Sequence, residues 1–274
     1  MHIRYGYEIT ITCQQPTALV CLLLAEQARL NDLCTPEAFA TTPANVPYST
    51  YLDLFGNRCL RLTAPAGDFT MWSDATLVDP GVPDPVFPDA REVPVADLPD
   101  ECLVYLLGSR YCETDRLSQI AWDLFGHLPP GWARVQAISD YVNRHIRFDY
   151  MQARATRTAY EAWQERIGVC RDFAHLGVAF CRCLNIPARY VNGYLGDIGV
   201  PITGPMDFSA WTEVWLDGAW HTFDPRNNAR RIGRIVVARG RDAADVPLLN
   251  SFGPHVLKSF RVWTYPTEAV STPG

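Results

Sequence analysis

Cys170 is the residue whose type and setting first suggest chemistry. The run Gly168-Val169-Cys170-Arg171-Asp172-Phe173-Ala174-His175-Leu176 reads as a loop that delivers this cysteine to the first turn of a helix. From Asp172 onward Phe173, Leu176, Phe180, Cys183 and Leu184 recur at helical spacing, with Ala174, Val178 and Cys181 beside them, so the helix is apolar around much of its girth and belongs in a core. Its first turn still offers unpaired backbone N–H groups and the positive end of the macrodipole. A thiol placed there has a physical route to a lowered pKa and to thiolate chemistry. Free cysteines otherwise act mostly as small buried hydrophobes, and Cys181 and Cys183, inside the apolar run, are read that way.

A second feature lies downstream. Ser209-Ala210-Trp211-Thr212-Glu213-Val214-Trp215-Leu216-Asp217-Gly218-Ala219-Trp220-His221-Thr222-Phe223-Asp224 reads as a hairpin closed by the two-residue turn Asp217-Gly218. Leu216 then opposes Ala219, Trp215 opposes Trp220, and Trp211 opposes Asp224. Because side chains alternate, Ser209, Trp211, Glu213, Trp215, Trp220, Thr222 and Asp224 share one face, while His221 faces the other way beside Val214, Leu216 and Phe223.

The elements that must position these groups follow from the pattern. Residues 1 to about 79 read as strands: Ile3 to Thr12 alternates with period two, and Ser49–Leu54, Cys59–Thr63 and Phe69–Leu77 are separated by turn residues at Gly56-Asn57 and Pro65-Ala66-Gly67. Asp32, Asp53 and Asp74 are scattered acids without partners at useful spacing. Pro80, Pro83, Pro85, Pro88, Pro94 and Pro99 deny residues 80–99 both helix and central strand, which predicts a linker over the surface. Helical periodicity returns over Asp115–Leu128 and Trp132–Ile146, broken by Pro129-Pro130-Gly131. His127 and His145 fall near the ends of these helices, where a capping role is expected. Thr158–Arg166 is a shorter helix that places Trp163 upstream of Cys170, either as packing or as a wall shielding the thiol. Asn185-Ile186-Pro187 stops the Cys170 helix, and Ala188–Tyr194 is a strand.

Composition bounds the function. The chain has 274 residues, 48% of them hydrophobic, and a net charge of -6, enough for a large core and without a broad basic surface. Nucleic acid is therefore not an expected partner. The densest basic cluster, Arg226, Arg230, Arg231 and Arg234, reads as a solvated loop face. The nine cysteines show neither a disulfide framework nor paired zinc-ligand spacing, which points to reduced thiols in a cytoplasm. The start lacks a signal-peptide pattern and Leu19–Ala25 is too short to span a bilayer, so no membrane is expected. No metal is expected: Asp224, His221 and Cys170 do not share a face, and no acidic loop has calcium spacing.

Three motifs together resemble the transglutaminase-like superfamily: Gly168-Val169-Cys170-Arg171-Asp172-Phe173-Ala174-His175, then Ile186-Pro187-Ala188-Arg189-Tyr190-Val191-Asn192-Gly193-Tyr194, then Ala210-Trp211-Thr212-Glu213-Val214-Trp215 with Gly218-Ala219-Trp220 and Phe223-Asp224-Pro225. The resemblance covers about residues 110 to 228. The amino-terminal strands and the tail through Gly240–Asp245 are similar to those of bacterial members with an added β domain. It implies an α+β fold: an amino-terminal antiparallel β-sandwich over residues 1–79, the linker 80–99, and a papain-like core over 100–274 in which helices pack on an antiparallel sheet.

Carried over by position, Cys170 matches the family nucleophile and Asp224 the acid that orients the base. The family histidine belongs immediately before Ala210-Trp211, and Ser209 stands there. A serine hydroxyl does not accept a thiol proton near neutral pH as an imidazole does. His175 and then His221 are the candidate substitutes, with Asp172 a support, and His255 lies in a loop after Gly253-Pro254.

Two functions are implied. In the first, Cys170 attacks an amide or isopeptide carbonyl, backbone N–H groups hold the oxyanion and water resolves the thioester. Hydrolysis is favoured over cross-linking because no second, amine-substrate motif is present, and no cofactor is needed. In the second, the chain is catalytically impaired and its cleft binds a peptide or other amide ligand. Trp163, Trp211 and Trp215 are the expected substrate-binding aromatics, and in the second function Trp211, Trp215 and Trp220 line the cleft as anchors. The sequence does not fix the oligomeric state.

Overall fold

Six strands precede the proline-rich stretch, and their pairing follows the alternation in the sequence. In the computed structural model, which describes residues 1–202, 204 and 206–268, these are β1 (His2–Cys13), β2 (Thr17–Cys21), β3 (Ala40–Thr42), β4 (Tyr48–Leu52), β5 (Arg58–Ala64) and β6 (Gly67–Val78). Along β1 the odd positions Ile3, Tyr5, Tyr7, Ile9 and Ile11 are buried, and along β6 so are Phe69, Met71, Ala75 and Leu77. This is the period-two signature of a strand with one face in a core. Leu19, Cys21, Leu60 and Leu62 of β2 and β5 join the same cluster, so two sheets close on one core.

Helices follow. α1 (Asp100–Leu103) is a single turn, α2 (Thr114–Phe125) and α3 (Trp132–His145) match the two periodic stretches, α4 (Ala159–Glu165) is the short helix, and α5 (Cys170–Cys183) begins at the cysteine. The strands β7 (Arg147–Phe148) and β8 (Ile167–Gly168) pair in parallel just ahead of α5. Then come β9 (Ala188–Leu195), β10 (Phe208–Leu216), β11 (Ala219–Phe223), β12 (Arg234–Gly240), β13 (Leu249–Ser251) and β14 (His255–Thr267).

The strands form four-stranded sheets in the orders β14-β1-β6-β3, β13-β2-β5-β4 and β11-β10-β9-β12. The fold is therefore α+β with antiparallel sheets and a helical core. Residues 249–267, grouped by sequence with 100–274, return to the amino-terminal sheets: β14 pairs with β1 from His2↔Thr267 to Cys13↔His255. Backbone groups of an edge strand need partners, and the chain end supplies them to β1 and β2.

Helix α5 lies between α2, α3, α4 and the third sheet. Phe173, Leu176, Val178, Ala179 and Phe180 are fully or almost fully buried and share a cluster with Val214, Leu216 and Phe223 of the hairpin. Arg182 ties its carboxyl end down, donating to the carbonyls of Ala188 (3.0 Å) and Leu107 (3.0 Å). The linker is docked rather than loose. Asp84 pairs with Arg234 (2.9 Å), Glu92 with Arg134 (3.0 Å), and the Phe87 ring lies 4.8 Å from His221. Among the described residues no helix is long and apolar enough to cross a membrane.

Candidate active site

Cys170 is held in place by the residues around the loop it ends. β8 pairs with β7 at Phe148↔Gly168, and the Asp149 N–H donates to the Gly168 carbonyl at 3.0 Å. A Cβ on Gly168 would lie 2.6 Å from Asp172 Oδ2, so only glycine lets the loop run this close to the helix. Asp172 is fully buried. Its Oδ2 accepts the Val169 N–H (2.9 Å) and Arg157 Nη1 (3.1 Å), closing the amino-terminal turn of α5. Asp172 thus fixes the backbone that carries the thiol.

The thiol itself is half-buried. Two cavities meet at it. One, of about 530 Å³, is walled by Ile9, Ile11, Tyr111, Tyr190, Leu257 and Phe260 among others; the second, of about 290 Å³, is walled by Phe148, Tyr150, Asp197, Arg226 and Arg231. Cys170, Asp207, Phe208 and Ser209 line both. The structure thus brings Cys170 and Ser209 to one opening.

Its electrostatics differ from the expectation of a lowered thiol pKa. Burial pushes the Cys170 thiol up to about 11, with the Asp207 carboxylate adding to it, while the backbone N–H groups of Ala210 and Arg171 and the Arg226 guanidinium work against the rise. Desolvation of the charged form outweighs the helix terminus here. At pH 7 such a thiol is ionised in only about one molecule in ten thousand.

The hairpin has the register read from the sequence, Leu216↔Ala219, Trp215↔Trp220 and Val214↔His221. Asp224 lies at its end but not in the walls of the two cavities at Cys170. Its Oδ1 accepts the Asn227 N–H (2.9 Å), and Oδ2 accepts Asn227 Nδ2 (2.7 Å) and Arg234 Nη2 (2.8 Å). Burial works to raise its pKa, but Arg234 and Asn227 together hold the carboxyl below its ordinary value. Of the loop arginines, Arg230 is exposed, but Arg231 and Arg234 are not part of a solvated face: Arg231 pairs with Asp197 (3.0 Å), and Arg234 bridges Asp84 and Asp224. Acids from the linker and from the loop after β9 sit against them.

His175 and His221 occupy structural positions. His175 is fully buried, stacked on Tyr111 (5.1 Å between ring centroids), and its Nε2 accepts the Ala243 N–H at 3.1 Å. Burial, with Arg171 and Arg182 nearby, lowers its pKa well below the usual value, so the ring stays neutral behind the cavity wall. His221 lies 3.1 Å from the Leu216 carbonyl, packed against Phe87 and Trp132. His255 is the histidine that does line the larger cavity, with Nδ1 2.7 Å from Ser251 Oγ.

The expected substrate-binding tryptophans lie elsewhere. Trp211 is fully buried beneath Arg234 (4.9 Å), Trp215 meets Trp220 edge to face (5.3 Å), and Trp163 packs on His145 and bonds Tyr141. Trp220 lies under Arg189 (4.0 Å). Alternation places Trp211 and Trp215 on the face opposite Val214 and Leu216, which pack against α5. The aromatic lining comes instead from Tyr111, Tyr190, Phe208 and Phe260. Sequence reasoning missed Asp207 and Tyr150; the only sign of Asp207 was its place two residues before Ser209. Among the described residues no group of three or more His, Cys, Asp or Glu converges as metal ligands would.

Residues 119–225 match the family model described as the transglutaminase-like superfamily. The chain is 30% identical over 249 residues to the uncharacterized protein Rv2569c of Mycobacterium tuberculosis, covering 82% of this chain and 78% of that one. It is 39% identical over 85 residues to the uncharacterized protein ML0607 of Mycobacterium leprae, a segment that covers 29% of each. The crystal structure of a "Putative Cysteine Protease from Cytophaga hutchinsonii" superimposes with a TM-score of 0.84 at 30% identity, covering 100% of this chain and 93% of that one.

Proposed function

The chain belongs to the transglutaminase-like superfamily, and from that premise we propose that its Cys170 cleft takes a peptide or other amide ligand while thioester chemistry at the thiol is strongly attenuated. The observation that carries this reading is the meeting of the two cavities at Cys170 with Ser209, not an imidazole, beside it. The half-buried thiol, its pKa raised to about 11, has a serine hydroxyl rather than an imidazole at position 209 to receive its proton. Asp224, which would orient such a base, is engaged by Arg234 and Asn227. Whatever carbonyl the cleft holds is attacked slowly, with water favoured over an amine as the second nucleophile. The nine cysteines are free, which supports a reducing, cytoplasmic setting.

A second reading, a working cysteine hydrolase, has one observation in its favour: Cys170 keeps its place at the start of α5 with the N–H groups of Arg171 and Ala210 acting on the sulfur. These donors would also serve an oxyanion. Wild type, Cys170→Ala and Ser209→His assayed on a panel of peptide and glutamine amides separate the two. Turnover in Ser209→His alone supports attenuation; wild-type turnover at ordinary enzyme rates, lost in Cys170→Ala, supports the hydrolase.

A further inference from the structure

Asp207 is the charged group that the chemistry considered so far leaves unused. It precedes β10, lines both cavities at Cys170, and its Oδ1 accepts the N–H of the adjacent Phe208 at 2.7 Å. Among the described residues no arginine, lysine or histidine forms an ion pair with it. Of the arginines lining the same cavities, Arg231 pairs with Asp197 and Arg171 with Asp172, while Arg226 lies over the Phe148 ring at 4.3 Å and donates to Asn227. A partly buried carboxylate without a counter-charge is costly to hold, and a charge-assisted bond to a ligand would offset that cost.

The walls around it are complementary to a long apolar stem. Ile9, Ile11, Leu249, Leu257 and Phe260, contributed by the amino-terminal sheets and the returning chain end, line the larger cavity beside it. We infer that the Cys170 cleft selects amide ligands bearing a protonated amine or guanidinium on an aliphatic stem, and that Asp207 holds this cation beside the thiol. The inference rests on the cleft being the amide-binding site. After burial, Asp207 is also the main influence keeping the unliganded thiol protonated.

The test uses the full chain and two acetylated peptide amides that differ only in lysine against norleucine. Calorimetry gives their dissociation constants, and protection of Cys170 from iodoacetamide at fixed pH places them in the cleft. The lysine peptide is expected to bind about tenfold tighter or more, and the difference to vanish in Asp207→Asn. Unliganded Asp207→Asn is also expected to alkylate at Cys170 several-fold faster than wild type. Equal binding of the two peptides with Cys170 protected by both overturns the cation assignment and leaves the amide cleft standing. A lysine preference retained in Asp207→Asn overturns it as well. Protection by neither peptide overturns both readings. Asp207→Ser gives the same comparison should circular dichroism show Asp207→Asn unfolded.

Discussion

Restoring an imidazole at position 209 is the most informative single perturbation of this site. In wild type the thiol near pKa 11 is ionised to about one part in ten thousand at pH 7. A histidine at Ser209 opens onto the same two cavities as the sulfur and stabilises the thiolate as an imidazolium pair. If the thiol pKa falls to about 7, the thiolate fraction rises roughly five-thousandfold, while the lower basicity of the sulfur reduces its intrinsic nucleophilicity by about 40- to 100-fold. The expected net gain in iodoacetamide labelling of Cys170 is therefore roughly a hundredfold at pH 7, followed by peptide mass spectrometry so that the other eight cysteines serve as internal references. Ser209→Ala is the control and should change the rate little. Turnover of amide substrates should rise less than labelling, because Asp224 already accepts three bonds from Arg234 and Asn227 and lies outside the walls of the two cavities. A folded Ser209→His variant that labels within two- or threefold of wild type across pH 6 to 9 would refute the reasoning.

Other outcomes follow from the surroundings of the site. Arg234→Met leaves Asp84 and Asp224 without their shared cation and should cost about 3–5 kcal/mol in urea unfolding at neutral pH. Because the Asp224 carboxyl is held below its ordinary value, its contribution is complete above the unfolded-state pKa near ~4 and is lost as pH falls through the lower folded value. The penalty of Arg234→Met should thus shrink when the urea series is repeated below pH 4. Asp172→Asn weakens the bonds to Val169 and Arg157 that close the first turn of α5, with an expected loss of about 1–3 kcal/mol and faster hydrogen exchange at Val169. Gly193→Ala sets a Cβ 2.2 Å from the Ile235 carbonyl oxygen and 2.8 Å from the Trp211 ring, and should lower stability by about 1–3 kcal/mol or more, read as a shifted urea midpoint.

Much of the fold was legible in the sequence, because the signals were local. Apolar periodicity from Phe173 to Leu184 placed a buried helix, Asp217-Gly218 set the hairpin register to the residue, and alternation along Ile3–Thr12 marked a strand with one buried face. Those three signals also put Cys170 at a helix start and Ser209 near the beginning of the hairpin. Tertiary structure alone decided what surrounds them. Whether a thiol at a helix terminus ionises depends on the balance of dipole, desolvation and distant charge, and here burial with Asp207 outweighs the terminus. The bridging of Asp224 and Asp84 by Arg234, the seat of His175 behind Tyr111, and the return of β14 to β1 all join residues far apart in the chain or across strands. Periodicity carries no record of such meetings, since it reports which face of an element is apolar and not which element that face will meet.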